Sequence, residues 1–207
     1  MNSPNVTIID YGVGNLGSIL NMFKKIGVEA KLTQSINDVI DAKKLLLPGV
    51  GSFDYGMKML NDTGYVEAIN QKVLTEKISI LGICLGMQLM TKRSDEGSLN
   101  GLGWFDAETV KFDLDTTIFK VPHMGWNEVK VEKPNKLFED MYDEPRFYFV
   151  HSYHIKCNKK EDVLLTTKYG YDFVCGIRKD NIYGAQFHPE KSHKYGMKLL
   201  KNFADNC

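Results

Sequence analysis

The chain lacks a surplus of charge. Lys and Arg number 26, Asp and Glu number 26, and the formal net charge is zero. That excludes a strongly basic nucleic-acid binder and an acidic solvating tail. It also removes some colloidal protection, a mild sign of a chain that works inside a complex. Cysteine is scarce: the four (Cys84, Cys157, Cys175, Cys207) form no CxxC pair, so no zinc site is expected. Long apolar runs are missing too. The most apolar stretch, Ile78 to Met90, is too short to cross a bilayer and carries two glycines. The polar start Met-Asn-Ser-Pro-Asn does not read as a signal peptide. No repeat and no low-complexity segment is visible. The expectation is a cytoplasmic protein with free thiols, bound neither to membrane nor to nucleic acid.

What is present is an ordinary globular composition, with 43% hydrophobic and 25% charged residues among 207. A chain of this length can bury roughly 70% of its unfolded surface, so it needs no disulfide or metal staple. In the first half, strand and helix patterns alternate. Val6 to Asp10, Glu29 to Thr33, Lys44 to Leu47 and Ile78 to Ile83 read as strands. Leu16, Ile19, Leu20, Phe23 and Ile26 recur at helical spacing before Gly27, and Ile36 to Ala42, Tyr55 to Leu60, Tyr65 to Thr75 and Leu85 to Thr91 also read as helices. That alternation predicts parallel strands with helices on both faces. The second half reads as strands at Thr109 to Phe112, Glu128 to Val131, Phe147 to Ile155, Val163 to Thr167, Phe173 to Arg178 and Ile182 to Phe187, closed by a helix from Tyr195 to Phe203. No linker separates the halves. The expected fold is a single α/β domain over 1–207, with a mostly parallel central sheet, flanking helices and an antiparallel β extension.

One motif points away from the rest. Gly12-Val13-Gly14-Asn15-Leu16-Gly17 fits the dinucleotide pattern G-x-G-x-x-G between a strand and a helix. The second strand should then end in a ribose-holding acid, but it ends Leu32-Thr33-Gln34. The motif reads as a glycine-rich turn, and no cofactor is expected.

The strongest signal is Gly82-Ile83-Cys84-Leu85-Gly86, a nucleophile elbow with cysteine at its centre. Such a turn exposes the thiol at the carboxyl end of the sheet, above a helix N-terminus that favours thiolate. A thiolate in acyl chemistry needs a histidine, and the histidine an orienting carboxylate. Gln186-Phe187-His188-Pro189-Glu190 supplies both, with His188 and Glu190 two apart on one face of an extended segment. Two oxyanion donors are foreseen: the N–H of Leu85, and an amide of the glycine-rich loop Leu47 to Phe53.

Pro48-Gly49-Val50-Gly51, Gly82 to Gln88 and Gln186 to Glu190 together resemble the class I (triad) glutamine amidotransferases. That family hydrolyses glutamine through a glutamyl thioester and releases ammonia. Asp10-Tyr11-Gly12-x-Gly14-Asn15, Pro122-His123-Met124-Gly125-Trp126-Asn127 and Tyr148 to Tyr153 are similar to the glutaminase subunits of imidazole glycerol phosphate synthases. The resemblance implies Cys84 as nucleophile, His188 as base and acid, and Glu190 as orienter. It implies an oxyanion region at Val50, Gly51 and Leu85, and glutamine contacts from Gly51, Gln88, Glu96, Ser152 and Tyr153. His123, His151, His154 and His193 are left as structural or surface residues. A partner is implied as well: a (β/α)8 barrel synthase subunit fed with ammonia, forming a heterodimer, with Tyr11, Gly12, Asn15, Trp126, Tyr148 and Lys191 at the interface. In one place the sequence departs from this pattern: after Lys191-Ser192 comes His193, where histidine-pathway members more usually carry glycine. That and the Ser94 to Gly103 segment also resemble glutaminases whose partners aminate a nucleotide-linked sugar, the alternative acceptor.

Overall fold

The computed structural model describes residues 5–207; residues 1–4, most of the polar start discussed above, lie outside it. In chain order the first half is β1 (Val6–Ile9), α1 (Leu16–Lys25), β2 (Ala30–Thr33), α2 (Ile36–Ile40), β3 (Lys44–Leu47), α3 (Phe53–Asp62), α4 (Tyr65–Asn70, continued by a π turn over Gln71–Thr75), β4 (Ser79–Ile83) and α5 (Leu85–Gln88). The second half is β5 (Ala107–Lys111), β6 (His123–Glu128), β7 (Lys130–Val131), β8 (Arg146–His151), β9 (Tyr153–Cys157), β10 (Val163–Tyr169), β11 (Tyr171–Lys179), β12 (Ile182–Ala185) and α6 (His193–Asn206).

The main sheet runs β2-β1-β3-β4-β12-β11-β10-β7. From β2 to β12 every pairing is parallel. β11 then turns antiparallel to β12 and carries the extension through β10, β9 and β5. Alternate residues of the parallel strands feed opposite cores. Ile8, Leu46 and Leu81 pack with α1 and α6 through Ile19, Phe23, Leu199, Leu200 and Phe203. Ile9, Leu45, Leu47 and Ile80 pack on the other face with Phe53, Met57, Leu60, Tyr65 and Ile69 of α3 and α4. The alternation of strand and helix therefore produced the layers it predicts.

Two strand readings differ from the structure. Phe147 to Ile155 is two strands, not one. The chain breaks at Ser152; β8 pairs with β6 in a separate two-stranded sheet, while β9 joins β5 and β11. Likewise Glu128 to Val131 straddles the end of β6 and the whole of β7. Among the described residues no helix is long and apolar enough to cross a membrane, and no cluster of His, Cys, Asp or Glu could hold a metal ion.

Candidate active site

The register of β12 beside β4 assembles the site. Gly184 pairs with Gly82 and Ala185 with Ile83, so both strands end at the same height. The Cys84 N–H then donates to the Ala185 carbonyl at 2.8 Å. Residues 186–190 are thereby laid alongside the turn that carries the thiol.

Cys84 itself has φ +53° and ψ −112°, a left-handed conformation that a side chain adopts only under strain. It caps α5, and its carbonyl accepts from the N–H groups of Met87 and Gln88. The elbow needs glycine at Gly86 because a Cβ there would overlap the Leu47 carbonyl oxygen of β3. It needs glycine at Gly49 for the same reason: a Cβ would stand 2.8 Å from both the Leu85 Cβ and the Tyr11 hydroxyl. The 48–51 loop and the elbow are thus packed backbone to backbone.

His188 projects to the thiol from the other side. Its Nδ1 lies 2.8 Å from Glu190 Oε1, and both side chains are buried. The carboxylate can only accept here, so Nδ1 carries the proton and Nε2 is free to exchange one. His188 Nε2 and Glu190 Oε2 have no hydrogen-bond partner among the described residues. Burial draws the imidazole pKa down; the neighbouring Cys84 and Glu190 outweigh it and hold the group at about 10. His188 thus faces Cys84 on one side and Glu190 on the other. The segment is fixed by backbone: His188 N–H donates to the Tyr148 carbonyl at 2.9 Å, and Ser192 Oγ donates to the His188 carbonyl at 2.6 Å.

A cavity of about 400 Å³ opens over the thiol. Cys84 and His188 line it, with Val50, Gly51 and Leu85 on one side and Gln88, Glu96, Ser152 and Tyr153 on the other. The expected nucleophile, base, oxyanion donors and substrate contacts are thus brought to one space; Glu190 stands behind His188. The Leu85 N–H is the first amide of α5 and has no acceptor within its own helix. Glu96 is tied to the end of the glycine-rich loop Leu47 to Phe53: its Oε2 accepts the Phe53 N–H, the first amide of α3, at 2.8 Å. Asp54 clamps the same turn, accepting from the N–H groups of Ser98 and Leu99. Burial first, then Glu96 and Asp95, pushes the Tyr153 pKa up.

The residues expected at a partner face divide. Gly12 and Asn15 are exposed on the loop after β1, at the same sheet edge as Cys84. Trp126 is 46% exposed and stacks on His193 with centroids 5.4 Å apart. Tyr148 pairs with Trp126 in β-register and has the Lys191 ammonium 5.6 Å from its ring centre. Tyr11 is a correction. It is 1% exposed, and its hydroxyl donates to the Pro48 carbonyl at 2.7 Å. Its side chain supports the glycine-rich 48–51 loop from below, and burial and Cys84 raise its pKa.

Two further groups join the site. Gln186, the first residue of the Gln186 to Glu190 motif, reaches the thiol with its amide, and its spacing of two from His188 is the signal in the sequence. His151 lines the cavity and is paired with His123 at 3.1 Å. His193 has φ +45°, a conformation glycine takes without strain. The departure at this position is thus a side chain accommodated by stacking on Trp126.

A thiol on a strained elbow, a buried His–Glu pair and a lined cavity stand together at the carboxyl edge of a parallel sheet, the groups that cysteine-dependent acyl transfer requires. The family described as glutamine amidotransferase class-I matches residues 7–207, and the chain belongs to it. The curated relatives carry a narrower name. The chain is 54% identical over 198 residues to "Imidazole glycerol phosphate synthase subunit HisH 2" of Methanococcus maripaludis, covering 96% of this chain and 98% of that protein. It is 45% identical to the protein of the same name from Pseudomonas aeruginosa, over 97% and 98% of the two chains. In fold it is similar to the glutaminase domain of a Trypanosoma brucei CTPS with bound acivicin, at TM-score 0.67 and 14% identity, covering 98% and 94%.

Proposed function

We propose that this chain is the glutaminase subunit of an imidazole glycerol phosphate synthase, serving histidine biosynthesis. The names of its curated relatives support that acceptor and do not favour the amination of a nucleotide-linked sugar. The observation that carries the chemistry is the convergence of Cys84 with the buried His188–Glu190 pair in one cavity.

The proposed reaction is glutamine plus water giving glutamate plus ammonia. The Cys84 sulfur attacks the glutamine carboxamide carbon, and the carbonyl oxygen becomes an oxyanion held by the Leu85 N–H and by an amide of the Val50–Gly51 loop. The imidazolium of His188, held charged by Glu190, gives the Nε2 proton to the departing nitrogen, and the C–N bond breaks. A glutamyl thioester and ammonia result. His188, now neutral, takes a proton from water as the hydroxyl adds to the thioester carbon; the C–S bond breaks, and glutamate leaves with the thiolate restored. Glu96 meets the α-ammonium of glutamine, while Gln88, Ser152 and Tyr153 meet its polar groups. Because Glu96 also holds the Phe53 N–H, seating the ammonium and fixing the oxyanion loop depend on one carboxylate.

The ammonia needs an acceptor, and glutamine hydrolysis supplies none. We assign it to a (β/α)8 barrel partner in the cytoplasm, which would make imidazole glycerol phosphate and aminoimidazole carboxamide ribotide. Gly12, Asn15, Trp126, Tyr148 and Lys191 would face that partner. Ammonia must stay neutral in transit, so the joint interface would be closed and dry. The test is Cys84→Ala in the assembled enzyme. Glutamate release should vanish while melting temperature and partner binding persist; turnover surviving in the variant would remove Cys84 as nucleophile.

A further inference from the structure

One buried polar side chain outside the assigned roles touches the reacting sulfur. Gln186 is 0% exposed, and its Nε2 lies 3.7 Å from Cys84 Sγ, within reach of an N–H···S hydrogen bond. Its Oε1 accepts from Gln88 Nε2 at 3.1 Å, and the same Gln88 nitrogen lies 3.2 Å from the Tyr153 carbonyl. These acceptors fix the orientation of both amides, so it is the NH2 end of Gln186 that faces the sulfur. The backbone is fixed as well: Gln186 N–H donates to the Cys175 carbonyl at 2.9 Å. In the extended segment 186–188 the side chains alternate. Phe187 enters the core and stacks on Phe147 at 3.9 Å, whereas Gln186 and His188 both turn to Cys84.

We propose that the Gln186 carboxamide is a permanent donor to Cys84 Sγ, holding the sulfur between itself and His188 through the catalytic cycle. The catalytic consequence rests on the glutaminase reading; the contact itself does not. His188 is a donor only while protonated, and it surrenders its Nε2 proton to the leaving ammonia. An amide N–H does not ionise at working pH. It therefore still faces the sulfur when the thioester breaks and negative charge returns to it. The other groups around this sulfur are His188 with Glu190 behind it, the Tyr11 hydroxyl below, and Glu96 and Lys191 along the cavity wall. Gln186 is also the link by which Gln88, on the substrate side, reaches the nucleophile.

The test is alkylation of the full chain by iodoacetamide, followed by intact mass and peptide mapping at Cys84. Gln186→Met keeps the length and removes the donor. Losing a hydrogen bond to a charged sulfur should move the pH profile of alkylation up by about one unit, which slows the reaction about tenfold on the acidic limb of that profile. In the assembled enzyme kcat should fall by a similar factor with KM within about threefold. A rate, pH profile and kcat equal to the native chain's, or a change in KM alone, would overturn the proposal. A merely structural role would lower the melting temperature and leave the pH profile in place. Should Gln186→Met not fold, Gln186→Asn carries the test, since it keeps the amide but withdraws it from the sulfur: alkylation slowed to a similar degree supports the donor role, and a native rate refutes it. Unchanged alkylation defeats this inference alone. A native chain that releases no glutamate with its partner defeats the glutaminase reading and leaves the alkylation result standing.

Discussion

Acidification from pH 7 to pH 5 should destabilise this chain through two buried histidines. His123 and His151 are 3% and 6% exposed and lie in register on β6 and β8, with Nδ1 of the first 3.1 Å from Nε2 of the second. His151 Nδ1 stands 2.7 Å from the Tyr153 carbonyl, which can only accept. That nitrogen therefore carries a hydrogen, His151 Nε2 accepts, and His123 Nδ1 donates. Both rings are neutral. Burial holds the His123 pKa down at about 4 and the His151 pKa at about 3, against 6.5 in an exposed histidine. The folded values are depressed, so the stabilisation is present above pH 6.5 and is lost as pH falls from there towards 3–4. By pH 5 the unfolded state binds nearly one proton more at each site, a loss of about 2 kcal/mol per histidine. His188 runs the other way: its raised pKa offsets about 1 kcal/mol over the same interval. The net loss is about 3 kcal/mol, and in a chain of this length that lowers the melting temperature by about 6–12 °C. Melting curves at the two pH values measure it. The double variant His123→Gln, His151→Gln keeps polar groups at both sites without titration. It should lose the drop, the remainder being the His188 gain set against the opposite contribution of His154, which burial also holds down. A drop in the double variant equal to the native one would refute the reasoning.

Gly86→Ala should cost about 2–3 kcal/mol, read as a melting temperature lower by roughly 5–10 °C, because its Cβ meets backbone of β3 that no rotamer can clear. Gly17→Ala, in α1 with open space around it, should instead gain about 0.5–1 kcal/mol in the same assay. Cys84→Gly should melt about 1–3 °C above Cys84→Ala, since glycine relieves a strain of about 1–3 kcal/mol while giving back some of it as chain entropy. Trp126→Ala should weaken partner binding about 30-fold by titration calorimetry, the effect of truncating an exposed aromatic anchor worth about 2 kcal/mol.

The parallel half was legible because its signals are local. Val6 to Ile9 and Leu45 to Leu47 are apolar runs of strand length, and Ile19 and Phe23 mark the buried stripe of α1. The elbow was legible because Gly82 and Gly86 bracket Cys84 in sequence. The rest depends on contacts that sequence spacing does not record. The run Phe147 to Ile155 keeps its apolar residues through the break at Ser152, so nothing local announces that β8 and β9 belong to different sheets. The insertion of β12 beside β4 is a long-range pairing, and it is what brings His188 to Cys84. His123 and His151 are distant in sequence and meet only through strand register. Tyr11 sits between Asp10 and Gly12 in a polar, glycine-rich context, and its burial follows from the close approach of the Pro48 loop. His193 departs from the expected glycine while adopting the conformation glycine would take.

The central claim is that Cys84 releases ammonia for a synthase partner. Its most direct test is glutamate release from glutamine by this chain mixed with the barrel subunit of its own histidine pathway, with and without the acceptor nucleotide. A large rise that needs both additions and disappears in Cys84→Ala is expected. A well-folded chain showing no rise with that partner would contradict it.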